Sequence, residues 1–281
     1  MPIDGVRMLS KEDRHRIYQQ AYLPEHLPDY VTAVSGAQPY LIKSHICFCH
    51  RRHMMFIGFP LGDSTNDTVL AYLAACERYK PATVAIIAPR IWLLDDVCEK
   101  QPGDRYYRLK LPLSSIHAQV AYMVRRAQRD LVIMRGKFSR EHKRIVKEFL
   151  NARLLTPDQI YLFKHLHHYL KHSPCTILLE ARKGRELVAF TVIDLGSANY
   201  AFYLFNFRSI KFNIPGASDL LFREMVNVAQ SNGKKAINLG LGINFGIRRF
   251  KEKWGGVPFL SCETAVVHRE TLALERLVKK L

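Results

Sequence analysis

Three apolar, β-branched runs follow one another between residues 175 and 207, and they constrain the fold of this chain more than any other feature. The runs are CTILLEA (175–181), ELVAFTVIDL (186–195) and NYAFYLFNF (199–207). Gly184 lies in the first connection and Gly196–Ser197 in the second. Short glycine-containing connections between such runs are typical of antiparallel hairpins. The sequence therefore predicts a three-stranded antiparallel meander.

Helices and strands surround this meander in a definite order. Two amphipathic helices precede it, one over 139–154 and one that begins at Pro157 with Thr156 as its cap. The segments predicted to follow it are a helix over 216–233, a strand over 235–241, a helix over 245–255, a strand over 261–268 and a final helix with Leu274, Leu277, Val278 and Leu281 on one stripe. The order ααβββαβαβ indicates the α/β (α+β) class, with helices packed on a mixed sheet.

The N-terminal half repeats a weaker version of this order, without residue-level identity. Its predicted elements are a helix over 10–22, strands around 38–49 and 53–59, a helix over 64–80, a strand over 82–88, a short helix near 91–99 and a strand over 106–111. A linking helix over 114–130 follows. We therefore predict two domains in tandem, 1–113 and 114–281, each a mixed, mostly antiparallel sheet flanked by helices.

The charge of the chain indicates a polyanionic partner. Its 42 Lys and Arg exceed its 25 Asp and Glu, which gives a net charge of +17. Such a surplus favours nucleic acid, anionic lipid or phosphate-bearing carriers. No apolar run reaches the ~18 residues of a membrane helix, and the N-terminus lacks the apolar core of a secretory signal. We expect a cytoplasmic protein without a transmembrane segment that is able to contact a membrane surface.

Two segments resemble metal sites, and neither has the right spacing. In HICFCHRRH (45–53), side chains on one face of a strand lie ~6.6 Å apart per step. Both sulfurs of a zinc site lie ~2.3 Å from the metal, so we expect buried strand cysteines instead. HLHHYLKH (165–172) lacks the Glu of the HExxH pattern and is predicted to be a half-exposed basic helix face. No metal is expected.

The segment NLGLGINFGIRRFKEKWGG (238–256) fits no nucleotide motif. A dinucleotide fingerprint that starts at Gly240 requires glycine where Phe245 stands, and the Gly-Lys-Ser/Thr of the Walker pattern does not occur here. What remains is a strand that ends in small residues, followed by a basic helix. Glycines at a strand end allow a ligand or another backbone to approach closely.

The basic helix after these glycines has two interpretations. Asn244 is a predicted N-cap, and Arg248 and Lys251 are neighbours at i, i+3. Such a face is able to hold a phosphate or a developing oxyanion. The alternative is a solvated basic helix face with no bound partner.

The residues in this region resemble a known family. The stretch from FYLFNFRS (202–209) through PGASDLLFREMVNVAQSNGKKAINLGLGINFGIRRFKEKWGGVPF (215–259) resembles the FemABX branch of the GNAT acyltransferase fold. More closely, it is similar to the soluble C-terminal domain of phosphatidylglycerol lysyltransferases. FIGFPLGD (56–63) resembles a glycine-containing strand end in the first domain of that family. Because those proteins carry two GNAT-like domains, the resemblance implies that 1–113 is a degenerate GNAT-like domain and 114–281 the acyltransferase domain.

The resemblance implies transfer of an aminoacyl group from aminoacyl-tRNA to an amine or hydroxyl acceptor. The donor is then a co-substrate, and no tightly bound cofactor is expected. The family's Phe-Lys pair falls on Phe250 and Lys251, where the lysine holds the reacting ester and stabilises the oxyanion. Enzymes that use coenzyme A carry Q/R-x-x-G-x-G/A before the central helix, whereas RSIKFNIPGASD (208–219) keeps only Gly216 and has Pro215, which lacks an N–H. This departure weakens the acyl-CoA alternative.

The predicted site combines catalytic and carrier-binding residues. Lys251 is the candidate for oxyanion stabilisation, and Asp219 and Glu252 are candidate proton acceptors. The catalytic set is Lys251, Phe250, Asn206, Tyr203 and Asp219, with Asn206 and Tyr203 orienting the acceptor. The carrier- or substrate-binding set is Arg208, Gly216, Ser218, Gly240, Gly242, Asn244 and Arg248, with Arg208 and Arg248 on phosphates.

Three functions stay open at this point. The first is aminoacyl transfer, and the second is N-acyl transfer from acyl-CoA or an acyl carrier protein. The third is a non-catalytic module that binds RNA or anionic lipid. The acceptor is equally open among a lipid, a peptide and a small amine.

Overall fold

A computed structural model describes residues 9–62 and 67–269 of the chain. The predicted final helix with Leu274, Leu277, Val278 and Leu281 lies outside the described residues. In chain order the elements are α1 (Lys11–Gln20), a 3₁₀ helix (Pro24–His26), α2 (Pro28–Ser35), β1 (Gln38–Ile42), β2 (His45–His50), β3 (His53–Ile57), α3 (Thr68–Tyr79), β4 (Thr83–Ala88), β5 (Glu99–Lys110), α4 (Ala118–Gln128), β6 (Val132–Arg135), α5 (Arg140–Asn151), α6 (Pro157–His172), β7 (Thr176–Lys183), β8 (Glu186–Asp194), β9 (Tyr200–Arg208), α7 (Ala217–Ser231), β10 (Ala236–Leu241), α8 (Phe245–Lys253) and β11 (Val257–His268).

The chain divides into two compact units that are not contiguous in sequence. The first contains the described residues of Met1–Ala21, Glu25–Tyr106 and Pro258–Leu281, and the second contains Tyr22–Pro24 and Tyr107–Val257. The division between residues 106 and 107 falls inside β5. The split at 113/114 into two GNAT-like domains stays a prediction.

In the first unit the strand order is β1-β2-β3-β4-β11-β5. β1, β2 and β3 form an antiparallel meander, and β4 is parallel to β3 because α3 carries the chain back across the sheet. β2 and β3 are joined by a tight turn in which Arg51 has a φ of 53°. Cys47 and Cys49 are buried on β2, as predicted.

In the second unit the strand order is β5-β10-β9-β8-β7-β6, with β5 contributing its residues from 107 onward. β7, β8 and β9 form the predicted antiparallel meander, and α7 joins β9 to the parallel strand β10. The apolar stripe of α4, formed by Val120, Val124 and Ala127, is buried together with residues of α7. A mixed sheet flanked by helices is therefore confirmed. The elements of the two units also follow the same order, two helices, a meander, a helix and a parallel strand.

Three local predictions were wrong or incomplete. Residues 91–99 form no helix, only one turn in which the Val97 N–H donates to the Leu94 carbonyl at 3.1 Å. Leu94 is 71% exposed there. The segment therefore lacks an apolar face long enough to offset the free-energy cost of helix nucleation. β5 begins at Glu99 instead of 106. The strand β6 was missed because its four residues lie at a sheet edge and three of them are exposed, so no alternation marks it.

None of the helices within 9–62 and 67–269 has the length and hydrophobicity that a bilayer crossing requires. The imidazole-rich helix α6 presents a half-exposed basic face, as predicted. It begins with a capping box in which Thr156 accepts from the Gln159 N–H.

Candidate functional site

The parallel strands β9 and β10 stop pairing before either of them ends. Their register pairs Ala236 with Tyr200, Ile237 with Ala201 and Asn238 with Phe202. Beyond the last pair β9 continues to Arg208 and β10 to Leu241. We call the region between these two unpaired strand ends the opening. It lies at the carboxyl edge of the sheet, where ligands of open α/β sheets bind.

A β-bulge in β9 lies beside the point where this pairing stops. On its other side, β9 pairs Phe205 with Val192 and Tyr203 with Ile193, so Leu204 is an extra residue. A bulge bends its strand and raises its twist, and bulges are frequent next to active sites. The bend therefore contributes to the opening.

On β10, the side chain of Asn238 ends the pairing. Its Oδ1 accepts a hydrogen bond from the Gly240 N–H at 2.7 Å, and its Nδ2 donates to the Tyr22 carbonyl at 2.7 Å. Gly240 has a φ of 75°, which glycine adopts without a side-chain clash. Gly240 therefore turns the backbone, and its N–H is committed within the protein instead of facing a phosphate.

The connection from β10 to α8 contains a strained turn. The Asn244 N–H donates to the Gly242 carbonyl at 2.6 Å, which closes a three-residue γ-turn around Ile243. Ile243 has a φ of 54°, a genuine outlier for a β-branched residue that costs roughly 1–3 kcal/mol. Asn244 then caps α8, accepting from the Ile247 N–H at 3.0 Å, as predicted.

The ammonium of Lys251 is buried at the end of β10. Lys251 is only 3% exposed, and its Nζ donates to the Leu241 carbonyl at 2.5 Å. The same Nζ lies 5.5 Å from the centroid of the Tyr107 ring, a cation–π distance. Gly240 faces it, since a Cβ added at that glycine would lie 3.9 Å from Nζ. A buried ammonium at this position is a positive charge that can stabilise a developing negative charge nearby.

Tyr107 connects Lys251 to its neighbour Glu252. The Tyr107 hydroxyl donates to Glu252 Oε1 at 3.2 Å while its ring lies under the Lys251 ammonium. Sequence reasoning missed Tyr107, because it belongs to β5, far from the motif in the chain. Only the contact between β5 and α8 in the folded protein identifies Tyr107.

Three aromatic rings of β9, α7 and α8 pack together next to the opening. Phe250 stacks on Tyr203 with ring centroids 6.3 Å apart, and both pack edge-on against Phe222 of α7. Burial raises the pKa of the Tyr203 phenol, and the nearby Asn206 amide lowers it by a smaller amount. Tyr203 is therefore a neutral hydroxyl at physiological pH.

Asn206 and Ser218 bring β9 and the start of α7 together. The Ser218 hydroxyl donates to Asn206 Oδ1 at 3.1 Å. Asn206 Nδ2 is buried without a hydrogen-bond acceptor. A buried amide donor without an acceptor is a place where a substrate oxygen is able to bind.

Asp219 has a different environment from the one expected of a proton acceptor. Its Oδ1 accepts from Trp254 Nε1 at 2.9 Å, and its carboxylate forms an ion pair with Lys253 at 2.6 Å. The side chain is buried. These partners make Asp219 an anchor between α7 and α8, and a catalytic role for it stays a prediction.

Gly216 is required by packing. It has a φ of 82°, and a Cβ at this position would lie 2.4 Å from the Met123 carbonyl oxygen of α4. The glycine thus allows α4 to approach the start of α7. The space beside Gly216 is filled by the backbone of α4 and is not open to a pyrophosphate.

The two predicted phosphate-binding arginines lie at the surface. Arg208 ends β9 and donates to Asn213 Oδ1 in the connection to α7, whereas Arg248 is exposed on α8. The structure thus brings Lys251, Gly240, Phe250, Tyr203, Asn206 and Ser218 to the opening. Arg208 and Arg248 lie on the elements that surround it.

The equivalent strand pair of the first unit has no opening. β3 and β4 pair continuously from His53–Thr83 to Ile57–Ile87, and the Gly58 N–H extends the ladder to the Ile87 carbonyl. A Cβ at Gly58 would lie 2.8 Å from the Ala88 Cβ. These two strands are therefore closed at their carboxyl ends.

Metal chemistry has no ligand set in the part of the chain that the structure describes. Within 9–62 and 67–269, no three His, Cys, Asp or Glu side chains are grouped so that they could hold an ion.

Comparison with solved structures identifies the fold. The C-terminal domain (DUF2156) of a protein assigned as a lysylphosphatidylglycerol synthetase from Agrobacterium fabrum aligns over 91% of this chain and 92% of its own, at 16% identity and a TM-score of 0.59. L-PGS from Bacillus licheniformis aligns over 85% and 86%, at 16% identity and a TM-score of 0.57. FemX aligns over 92% and 96%, at 9% identity and a TM-score of 0.63.

The chain has the fold of these three proteins. The predicted resemblance to FemABX proteins and phosphatidylglycerol lysyltransferases is thereby confirmed at the level of the fold. No family model matches the sequence, and no curated protein matches it either. At identities this low the likeness concerns architecture, so the chemistry has to be argued from the site.

Proposed function

We propose that this protein is an acyltransferase that moves an aminoacyl group from aminoacyl-tRNA to an amine or hydroxyl acceptor. The observation that carries the proposal is the buried ammonium of Lys251 beside the unpaired ends of β9 and β10. Acyl transfer needs a preorganised positive charge where the carbonyl oxygen becomes negative.

The proposed reaction is a direct displacement. The acceptor nitrogen or oxygen attacks the ester carbonyl, and the carbonyl oxygen takes up negative charge that Lys251 Nζ stabilises. The ester bond to the tRNA ribose then breaks, and the proton lost by the acceptor passes to the departing ribose oxygen. Asn206 Nδ2 and the Tyr203 hydroxyl orient the acceptor. Phe250 supports Tyr203 by stacking.

The β9–α7 connection supports tRNA over coenzyme A as the carrier. A pyrophosphate cradle needs free backbone N–H groups. The N–H groups of Ile210, Phe212, Ile214 and Ala217 all donate within the protein, and Pro215 has none. The net charge of +17 suits the phosphates of tRNA. An acyl-CoA or acyl carrier protein donor is therefore the second candidate.

The tandem arrangement also belongs to this proposal. The shared order of elements supports two GNAT-like domains, and the closed β3–β4 pair supports the first as the degenerate one. We place the activity in the cytoplasm, where charged tRNA is present.

Product analysis tests the proposal. The full chain is incubated with tRNA charged with a labelled amino acid mixture, with acyl-CoA and with a cell extract, and products are identified by mass spectrometry. We expect the label to leave the tRNA for a stable amide or ester. Transfer from acyl-CoA alone would contradict the choice of donor, and salt-sensitive RNA retention without any transfer would identify a binding module.

A further inference from the structure

A serine, a histidine and a glutamate come together in the second unit, outside the opening. Ser139 is the N-cap of α5, His142 lies in the first turn of that helix, and Glu180 lies on β7. The Ser139 hydroxyl oxygen lies 2.9 Å from His142 Nδ1, and His142 Nε2 lies 3.2 Å from Glu180 Oε1. A nucleophile, a base and a carboxylate therefore follow one another in the order of a catalytic triad.

The backbone at Ser139 determines which imidazole nitrogen carries the proton. The Ser139 N–H donates to His142 Nδ1 at 3.1 Å, and a backbone N–H only donates. Nδ1 is therefore the unprotonated nitrogen, and the Ser139 hydroxyl donates to it as well. The proton of the neutral imidazole is then on Nε2, next to the Glu180 carboxylate. This second contact is close but not aligned as a hydrogen bond, and catalytic contacts often align only when substrate binds.

Burial keeps the imidazole of His142 neutral and in place. The side chain is fully buried and packs against Phe138 and Phe190, with ring centroids 5.4 and 4.8 Å from its own. Burial lowers the pKa of His142, and the charge of Glu180 opposes this shift by a smaller amount. Ser139 is exposed. A neutral, buried base thus lies next to a hydroxyl that a substrate can reach.

Helix capping alone does not explain the buried carboxylate. A capping box usually has Glu or Gln in place of His142, as α6 has Gln159, and it involves no buried acid. Glu180 is only 4% exposed, and Arg182 Nε donates to its Oε2 at 2.5 Å. A Cβ added at Gly136 would overlap Glu180 Oε1, so glycine leaves the room that this oxygen needs beside the imidazole.

We propose that Ser139, His142 and Glu180 form a second catalytic centre, which hydrolyses short carboxylic esters through an acyl-serine. Ser139 Oγ attacks the ester carbonyl and passes its proton to His142 Nδ1. The bond from the acyl carbon to the alcohol oxygen breaks, and that oxygen takes the proton from Nδ1. Water then attacks the acyl-serine, a proton of the water passes through Nδ1 to Ser139 Oγ, and the carboxylic acid leaves. Glu180 is a positioning residue that stabilises the imidazolium.

The surroundings of Ser139 indicate the class of substrate. Met134 pairs with Glu180 across β6 and β7 and is 49% exposed, so it offers an apolar contact to a short acyl chain. The N–H groups of Arg140 and Glu141 begin α5, where a helix supplies no acceptors for them. They provide hydrogen-bond donors for the carbonyl oxygen of the ester.

Active-site labelling tests this centre without tRNA or any acyl donor. The full chain is treated with a fluorophosphonate, which reacts with activated serines, and the modified residue is located by peptide mass spectrometry. Hydrolysis of p-nitrophenyl acetate is followed in parallel. We expect one phosphonate on Ser139 together with ester hydrolysis. Ser10 is the internal control, because it caps α1 with Asp13 in place of a histidine and should stay unmodified.

Two variants keep the start of α5 and remove the chemistry. Ser139→Asn retains a good N-cap and His142→Gln has the usual residue of a capping box, so circular dichroism should show both folded. Ser139→Asn should abolish labelling of residue 139 and ester hydrolysis, and His142→Gln should slow both at least about a hundredfold. Glu180→Gln should lower kcat and leave KM unchanged. The matched control Thr156→Asn changes the cap of α6 and should leave both rates unchanged.

The outcomes that contradict this centre are distinct from those that contradict aminoacyl transfer. Absence of phosphonate from Ser139, equal labelling of wild type and His142→Gln, or hydrolysis unchanged in Ser139→Asn would overturn the proposal. The centre does not rest on the proposed aminoacyl transfer, so Ser139→Asn should keep the transfer of label from aminoacyl-tRNA.

Discussion

Replacing Lys251 by methionine separates its catalytic role from its place in the fold. Methionine has nearly the same length, lacks the charge and fits an apolar site. The variant loses the hydrogen bond from Nζ to the Leu241 carbonyl, worth about 1–2 kcal/mol. The variant no longer has to desolvate an ammonium that is only 3% exposed, and this gain in stability offsets the lost hydrogen bond. We therefore expect the free energy of unfolding to change by less than about 1.5 kcal/mol.

The same substitution should remove most of the turnover. Deleting one preorganised donor to an oxyanion lowers kcat by about 10²–10³, or roughly 2.7–4 kcal/mol in the barrier. Urea unfolding and initial-rate transfer of label from aminoacyl-tRNA measure the two effects on one protein preparation. Lys143→Met on the exposed face of α5 is the matched control and should keep its turnover. A folded Lys251→Met protein with turnover within threefold of wild type would refute the proposed mechanism.

Three further predictions concern the supports of the site and the first unit. Gly216→Ala forces a φ of 82° on alanine and puts its Cβ 2.4 Å from the Met123 carbonyl oxygen. Urea unfolding should therefore show that the free energy of unfolding falls by about 2–5 kcal/mol. An unchanged free energy of unfolding would mean that α4 moves freely. Asp219→Asn should destabilise the protein by about 1–3 kcal/mol, because the carboxylate anchors Lys253 and Trp254. If anchoring is its only role, the folded variant keeps its turnover within threefold, whereas a hundredfold loss of turnover would identify Asp219 as the predicted proton acceptor. Burial lowers the pKa of His26 to about 4 from its ordinary 6.5. The buried neutral imidazole therefore contributes stability above pH 6.5, and the free energy of unfolding should fall by about 3 kcal/mol as the pH drops to 4. His26→Gln should flatten this part of the stability–pH curve, and an unchanged slope would exclude His26 as its source.

Much of the second unit follows from local sequence patterns. The meander, α6, α7, β10 and α8 are marked by apolar periodicity and by turn or cap residues such as Gly184, Thr156 and Asn244. These signals act within a few residues, so a single sequence is enough to read them.

The opening itself depends on contacts that periodicity does not encode. It forms because the Asn238 side chain accepts a hydrogen bond from the Gly240 N–H and because Leu204 is an extra residue in β9 opposite β8. The ion pair of Asp219 with Lys253 and the contact of Tyr107 with Lys251 join residues far apart in the chain. For this reason the residue types of the site could be predicted, whereas Asp219's anchoring contacts and Tyr107's position could not.

The proposed mechanism requires that the opening beside Lys251 receives the aminoacyl end of tRNA. Hydrogen exchange measured by mass spectrometry, with and without a tRNA whose aminoacyl ester is replaced by a stable amide, tests it directly. We expect protection of the peptides that cover the ends of β9 and β10 and the first turns of α7 and α8. Coenzyme A should give none of this protection. Protection confined to the first unit, or the same pattern with coenzyme A, would contradict it.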